Sequence, residues 1–213
     1  MPVLEFARAA LPTFFTVLAI VYMTRLAAGR ARFGAPLDAV GRPGTVQHMT
    51  HSLFRVFRIA IWMVCVLRAI WPDFDEMLGV FPAMMTPGPV MVGLVLLVTG
   101  FGWVGYCHNY MGLEWRSGVP ERATPDLITS GPFSRVRNPM FIGVMLAQIG
   151  FFFALPSLFS LVCLVLGTIA VLAQGRFEEE ELSHRLGETY SRYRDSTPAW
   201  IPRAQQRNDE VPG

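Results

Sequence analysis

The chain reads as an all-α, polytopic membrane protein of about five transmembrane helices followed by a cytoplasmic helical extension, and three observations predict this class. Of its 213 residues, 52% are hydrophobic and only 16% charged, with a mean hydropathy of +0.39. A soluble domain carries about a quarter charged residues. The apolar residues gather into blocks separated by Arg, Pro and Gly. That pattern suits helices that must satisfy their own backbone in lipid. Finally, basic residues crowd alternate connections between the blocks.

The blocks run from Leu11 to Ala28, Leu53 to Trp71, Pro89 to Cys107, Met140 to Pro156, and Ser157 to Gln174. Each is near the length a bilayer requires. The first follows Arg8 and has the position of a signal peptide, but no small-residue cleavage pattern follows Tyr22-Met23-Thr24-Arg25, which favours a true first span. Residues 1–110 then hold the first three spans. Residues 111–203 hold a loop, the hairpin of the last two spans and the C-terminal helix, and 204–213 a disordered tail.

Arg30, Arg32 and Arg42 lie in the first connection, and Arg25, Arg55 and Arg58 in the helix ends flanking it. The second connection has Asp73, Asp75 and Glu76 and no Arg. The third brings Arg116, Arg122, Arg135 and Arg137, and the tail is again Arg-rich. The positive-inside rule therefore expects the N-terminus outside and the C-terminus in the cytoplasm. Arg55, Arg58 and Arg68 can snorkel from the span ends to the interface.

Leu155-Pro156-Ser157 is too short a turn to join anything but antiparallel neighbours. Counting about twenty residues back and forward at roughly 1.5 Å each places Arg137 and Glu178 both roughly 30 Å from the turn, on one surface. Apart from Gly175 no breaker is expected before Arg194, so the fifth helix should continue beyond the membrane. At about 100° per residue, Glu179, Leu182, Leu186, Tyr190 and Tyr193 share one stripe, with Glu178 at its edge and Glu180 and Glu181 pointing away. A carboxylate amid apolar and aromatic residues needs a partner. Arg135 and Arg137 are the nearest expected cations, and the pattern fits a structural salt bridge or a ligand site equally. Pro139 suits the first turn of the fourth helix, which does not need its N–H.

Cys65, Cys107 and Cys163 have neither zinc nor disulfide spacing, and His48, His51, His108 and His184 form no constellation, so no metal site is expected.

Read together, Gly112-x-x-Trp115-Arg116, Leu127-Ile128-Thr129-Ser130-Gly131-Pro132-Phe133 and Arg137-Asn138-Pro139-Met140-Phe141-x-Gly143 form an ordered series. It continues with Arg176-x-Glu178-Glu179-x-x-Leu182, Gly187-x-x-Tyr190-x-x-Tyr193 and Trp200-Ile201-Pro202. This series resembles the isoprenylcysteine carboxyl methyltransferase family, which is related to the phospholipid methyltransferases. The eukaryotic branch carries His where this chain has Asn138.

The resemblance implies an integral membrane methyltransferase, expected in a bacterial inner membrane. It implies S-adenosylmethionine bound at the cytoplasmic end of the last two spans and a lipid-like acceptor arriving from the bilayer: a carboxylate, thiol or phospholipid head group. Leu127, Thr129, Gly131, Arg137, Asn138, Pro139, Met140 and Gly143 would line the cofactor pocket, closed by Glu178 and Glu179. Arg137 and Glu179 would be the catalytic pair, with Arg137 suited to grip the methionyl carboxylate. Trp115, Arg116 and Tyr193 would face the acceptor, although Trp115 and Arg116 equally suit an interfacial anchor. No nucleic-acid partner is expected, and the oligomeric state is left open. The competing readings are a nicotinamide-dependent sterol-type reductase, which would need a second phosphate site, and a non-catalytic membrane adaptor.

Overall fold

The computed structural model describes residues 2–33, 43–112 and 127–202. These fold into helices α1 (Pro2–Phe33), α2 (Val46–Ile70), α3 (Phe74–Met77), α4 (Pro87–Met111), α5 (Pro139–Ala154), α6 (Leu158–Leu186) and α7 (Glu188–Ser196), with a 3-10 turn at Gly131–Ser134. The described residues are all-helical, and all five apolar blocks fall in helices. Among the described residues α1, α4 and α6 contain segments long and apolar enough to cross a membrane, and α5 is a shorter apolar helix. The 25-residue α2 is interrupted by Arg55, Arg58 and Arg68.

The closest helix pair is α4 with α5, and glycine makes it so. A Cβ added at Gly93 would sit 2.2 Å from the Ala154 nitrogen, at Gly100 2.6 Å from the Ala147 nitrogen, and at Gly150 2.3 Å from the Leu97 nitrogen. Small residues let backbones meet in lipid, where apolar side chains gain little by leaving the tails for each other. Gly143 belongs to this seam, since its Cβ would fall 2.9 Å from the Gly100 carbonyl. Phe14 and Phe15 of α1 pack their rings against Phe101 and Phe151, joining α1 to the pair.

The hairpin turn forms as the sequence predicts. Ser157 and Ser160 make a capping box at the start of α6, and Gly79 and Phe81 lie against the turn through Leu158 N to Gly79 O (2.9 Å) and Phe81 N to Pro156 O (2.8 Å). At the same end Asp75 accepts from both Arg8 and Arg68. Burial raises the Asp75 carboxyl, but the two guanidinium groups outweigh it and hold the group below its ordinary range.

One expectation fails. The fifth helix does not run unbroken to Arg194: it ends at Leu186, where Gly187 takes φ +53°, and a separate helix starts at Glu188. Glycine reaches that region without a Cβ clash, which makes it a helix terminator. The turn folds α7 back so that Tyr190 and Tyr193 are still buried beside α5 and α6.

Candidate active site

The start of α5 is held by the chain that follows α7. Arg137 N donates to Pro198 O at 2.9 Å and Asn138 N to Ala199 O at 3.1 Å. Pro139 occupies the first turn, and its carbonyl accepts from Trp103 Nε1 at 2.8 Å. Trp200 lies beside Phe141, with ring centroids 6.4 Å apart, and above Gly175.

From this anchored turn Arg137 reaches across the hairpin. Its Nε donates to Glu179 Oε1 at 3.2 Å and its Nη2 to Glu179 Oε2 at 2.8 Å. Nη1 donates to the carbonyls of Thr197 (2.6 Å) and Arg194 (3.1 Å). Asn138 Nδ2 adds a third contact to Glu179, 2.7 Å from Oε1. Partial burial weakens the Arg137 proton affinity, but the Glu179 carboxylate more than restores it and the guanidinium pKa is raised. Burial also pushes the phenol of neighbouring Tyr190 up to about 12, with Glu179 adding to the effect.

The pair is therefore an ion bridge with the fork geometry of Arg and carboxylate. The guanidinium grips the protein's own carboxylate at Glu179. Arg135 is exposed and pairs with no carboxylate among the described residues. Glu181 points away, as the helical stripe predicts, to Arg185 at 2.6 Å.

Glu178 is placed differently. Its Oε1 accepts from Gln174 Nε2 at 2.8 Å, and among the described residues it forms no ion pair. Gln174 in turn meets Thr50 of α2. Neither Gln174 nor Thr50 was anticipated. The four-residue spacing of Gln174 and Glu178 on α6 is a signal that could have found the first, whereas nothing in the sequence ties Thr50 to α6.

Beside these groups lies a cavity of about 1270 Å³ bounded by α1, α2, α4, α5, α6 and α7. Arg137, Asn138, Glu178, Glu179 and Tyr190 line it, as do Arg25, Arg55 and Arg58 of α1 and α2 and apolar side chains such as Phe151 and Cys163. Leu127, Pro139, Met140 and Tyr193 also line it. Thr129, Gly131 and Gly143 are not among the lining residues. Gly131 takes φ +59° where a Cβ would fall 2.3 Å from the Tyr110 ring, so it admits that ring, while Tyr110 donates to Ser130 Oγ at 2.8 Å. The Tyr193 hydroxyl donates to Phe133 O at 2.6 Å, tying α7 to the 127–133 segment. Trp115 and Arg116 lie outside the described residues.

Residues 89–189 match the phospholipid methyltransferase family. The matched segment carries nearly all of α4, the whole of α5 and α6, and Arg137, Asn138, Glu178 and Glu179 of the cavity lining. The phospholipid methyltransferase match thus agrees with the kinship read from the motifs, and with apolar helices it supports a membrane methyltransferase. Neither a curated protein nor a solved structure matches the chain.

Proposed function

We propose that this protein is an S-adenosylmethionine-dependent methyltransferase that modifies a lipophilic acceptor at the membrane face, with its C-terminus in the cytoplasm. The observation carrying this reading is the cavity itself: Glu178, a partly buried carboxylate that forms no ion pair among the described residues, lines a space bounded by both charged and apolar side chains. A desolvated carboxylate favours a positively charged or multiply donating ligand. A sulfonium cofactor with a ribose diol offers both.

In this reading Glu178 receives donors of the cofactor, and Met140 and Leu127 give apolar contact. Arg137, Asn138 and Glu179 form the rigid support that fixes the mouth of α5 against α6. When bound, the cofactor would supply an electrophilic methyl carbon to the acceptor's lone pair, with a neutral thioether as the leaving group. The protein's own task is alignment and exclusion of water, since such a displacement does not require an acid–base dyad. The apolar walls suit an acceptor entering from the bilayer.

Calorimetry of the purified protein tests this. Saturable binding of S-adenosylhomocysteine, reduced in Glu178→Gln, is expected. Binding of a reduced nicotinamide dinucleotide instead would favour the reductase reading. Binding of neither would favour an adaptor in which the Arg137–Glu179 bridge only locks the hairpin.

A further inference from the structure

We infer that Thr50 and Gln174 are positioning residues that hold Glu178 in place, so that α2, which lies outside the matched segment, contributes to ligand binding. The inference rests on the reading of Glu178 as a cofactor-facing group. Three linked side chains carry it. Gln174 and Thr50 are almost fully buried, at 2% and 6% exposure. Gln174 Nε2 donates to Glu178 Oε1 at 2.8 Å, and its Oε1 accepts from Thr50 Oγ1, a residue 124 positions away in the chain.

Gln174 turns its NH₂ toward Glu178 and its carbonyl toward α2, and its hydrogen bond offsets part of the burial that pushes the Glu178 carboxyl up to about 7. A carbonyl there needs a donor, and the single hydroxyl proton of Thr50 supplies it in preference to the Val46 and Gln47 carbonyls at 2.9 and 3.1 Å. One oxygen of Glu178 is thereby fixed, while the other makes no hydrogen bond among the described residues and stays open to the cavity. A Glu side chain left to swing would lose rotamer entropy each time a ligand bound. Pinning it through a buried amide removes part of that cost before the ligand arrives.

A different role for the same residues would be to bond α2 to α6, as polar side chains do between helices in lipid. The two roles separate in a double-mutant cycle. S-adenosylhomocysteine affinity is measured by calorimetry on the full chain in phospholipid nanodiscs for Thr50→Val, Thr50→Ser, Glu178→Gln and the Thr50→Val/Glu178→Gln pair. Thr50→Val should weaken binding about three- to tenfold, the worth of one hydrogen bond. Thr50→Ser should restore it, and Thr50→Val should add nothing once Glu178 is Gln.

An unchanged affinity in Thr50→Val, or an equal loss on the Glu178→Gln background, overturns the inference. Loss in Glu178→Gln without loss in Thr50→Val overturns the positioning role alone. Wild-type affinity in Glu178→Gln overturns the cofactor reading of Glu178 and the positioning role with it. Where Thr50→Val fails to fold, Gln174→Met must give the same cycle, and full affinity in Gln174→Met is equally fatal.

Discussion

Arg137 and Glu179 meet through two parallel contacts of 3.2 and 2.8 Å although 42 positions separate them in the chain. The hairpin brings them together, and the Thr197 and Arg194 carbonyls share the same guanidinium. Arg137 is therefore a clamp on three segments: the mouth of α5, the C-terminal part of α6 and the end of α7.

Removing the clamp should be costlier than neutralising its partner. Arg137→Ala leaves Glu179 with Asn138 but no cation, and takes the donor from two carbonyls; the Arg137 side chain is 11% exposed against 23% for Glu179. A fully buried pair broken on one side costs about 3–5 kcal/mol, and the residual exposure here lowers that to about 1–3 kcal/mol. Glu179→Gln keeps an acceptor and should lose about half as much. Thermal unfolding in detergent, with and without S-adenosylhomocysteine, measures both. Equal melting temperatures for wild type and Arg137→Ala would refute the clamp.

At the far end, the Asp75 carboxyl is held below its ordinary range because Arg68 and Arg8 together overcome its burial. A depressed carboxylate contributes stability that is present above its unfolded pKa and lost as pH falls through the folded value. Asp75→Asn should therefore melt below wild type by a constant margin at neutral pH. The margin should shrink only below about pH 4, the unfolded carboxylate range. A gap that persists unchanged to pH 2 would mean the ion triad does not stabilise the fold.

The α4–α5 seam makes a prediction with its own control. Gly100→Ala would put a methyl 2.6 Å from the Ala147 backbone nitrogen, whereas Gly102→Ala meets nothing within 4 Å. The first should destabilise by about 1–3 kcal/mol through overpacking. The second should be neutral or stabilising by up to about 1 kcal/mol, since Ala is the better helix former. Chemical unfolding of the two variants in parallel decides the matter, and similar behaviour would show that the helices do not approach so closely.

What the sequence made legible follows from which interactions are periodic. Apolar blocks and the Leu155-Pro156-Ser157 turn locate five helices, and the helical stripe separates Glu179 from Glu181. Periodicity within one helix says nothing about which helix it meets, so the Thr50–Gln174 contact and the Gly93, Gly100 and Gly150 seam were invisible until the packing was known. Gly187 was read as part of a tyrosine motif rather than as a helix end, because the polar pattern continues across it. Arg137 stands out in the sequence, but a side chain's number of protein acceptors cannot be counted there, and the carbonyls of Arg194 and Thr197 appear only in the packed structure.

Tyr193 offers the last test. Burial, reinforced by Tyr190, pushes its phenol up to about 12, so the hydroxyl remains a proton donor at every working pH. It donates to Phe133 O at 2.6 Å, and Leu127 and Phe133 of the segment so fastened line the cavity. Tyr193→Phe keeps the ring and removes only this tether, leaving a carbonyl without its donor, at a cost of about 1–3 kcal/mol where water cannot replace it. The cost should appear locally: S-adenosylhomocysteine affinity should fall about three- to tenfold, with the 127–133 amides exchanging hydrogen faster and those of α4 unchanged. A loss of protection spread evenly over the helices would assign Tyr193 to global stability instead, and an unchanged affinity would remove the 127–133 segment from the binding site.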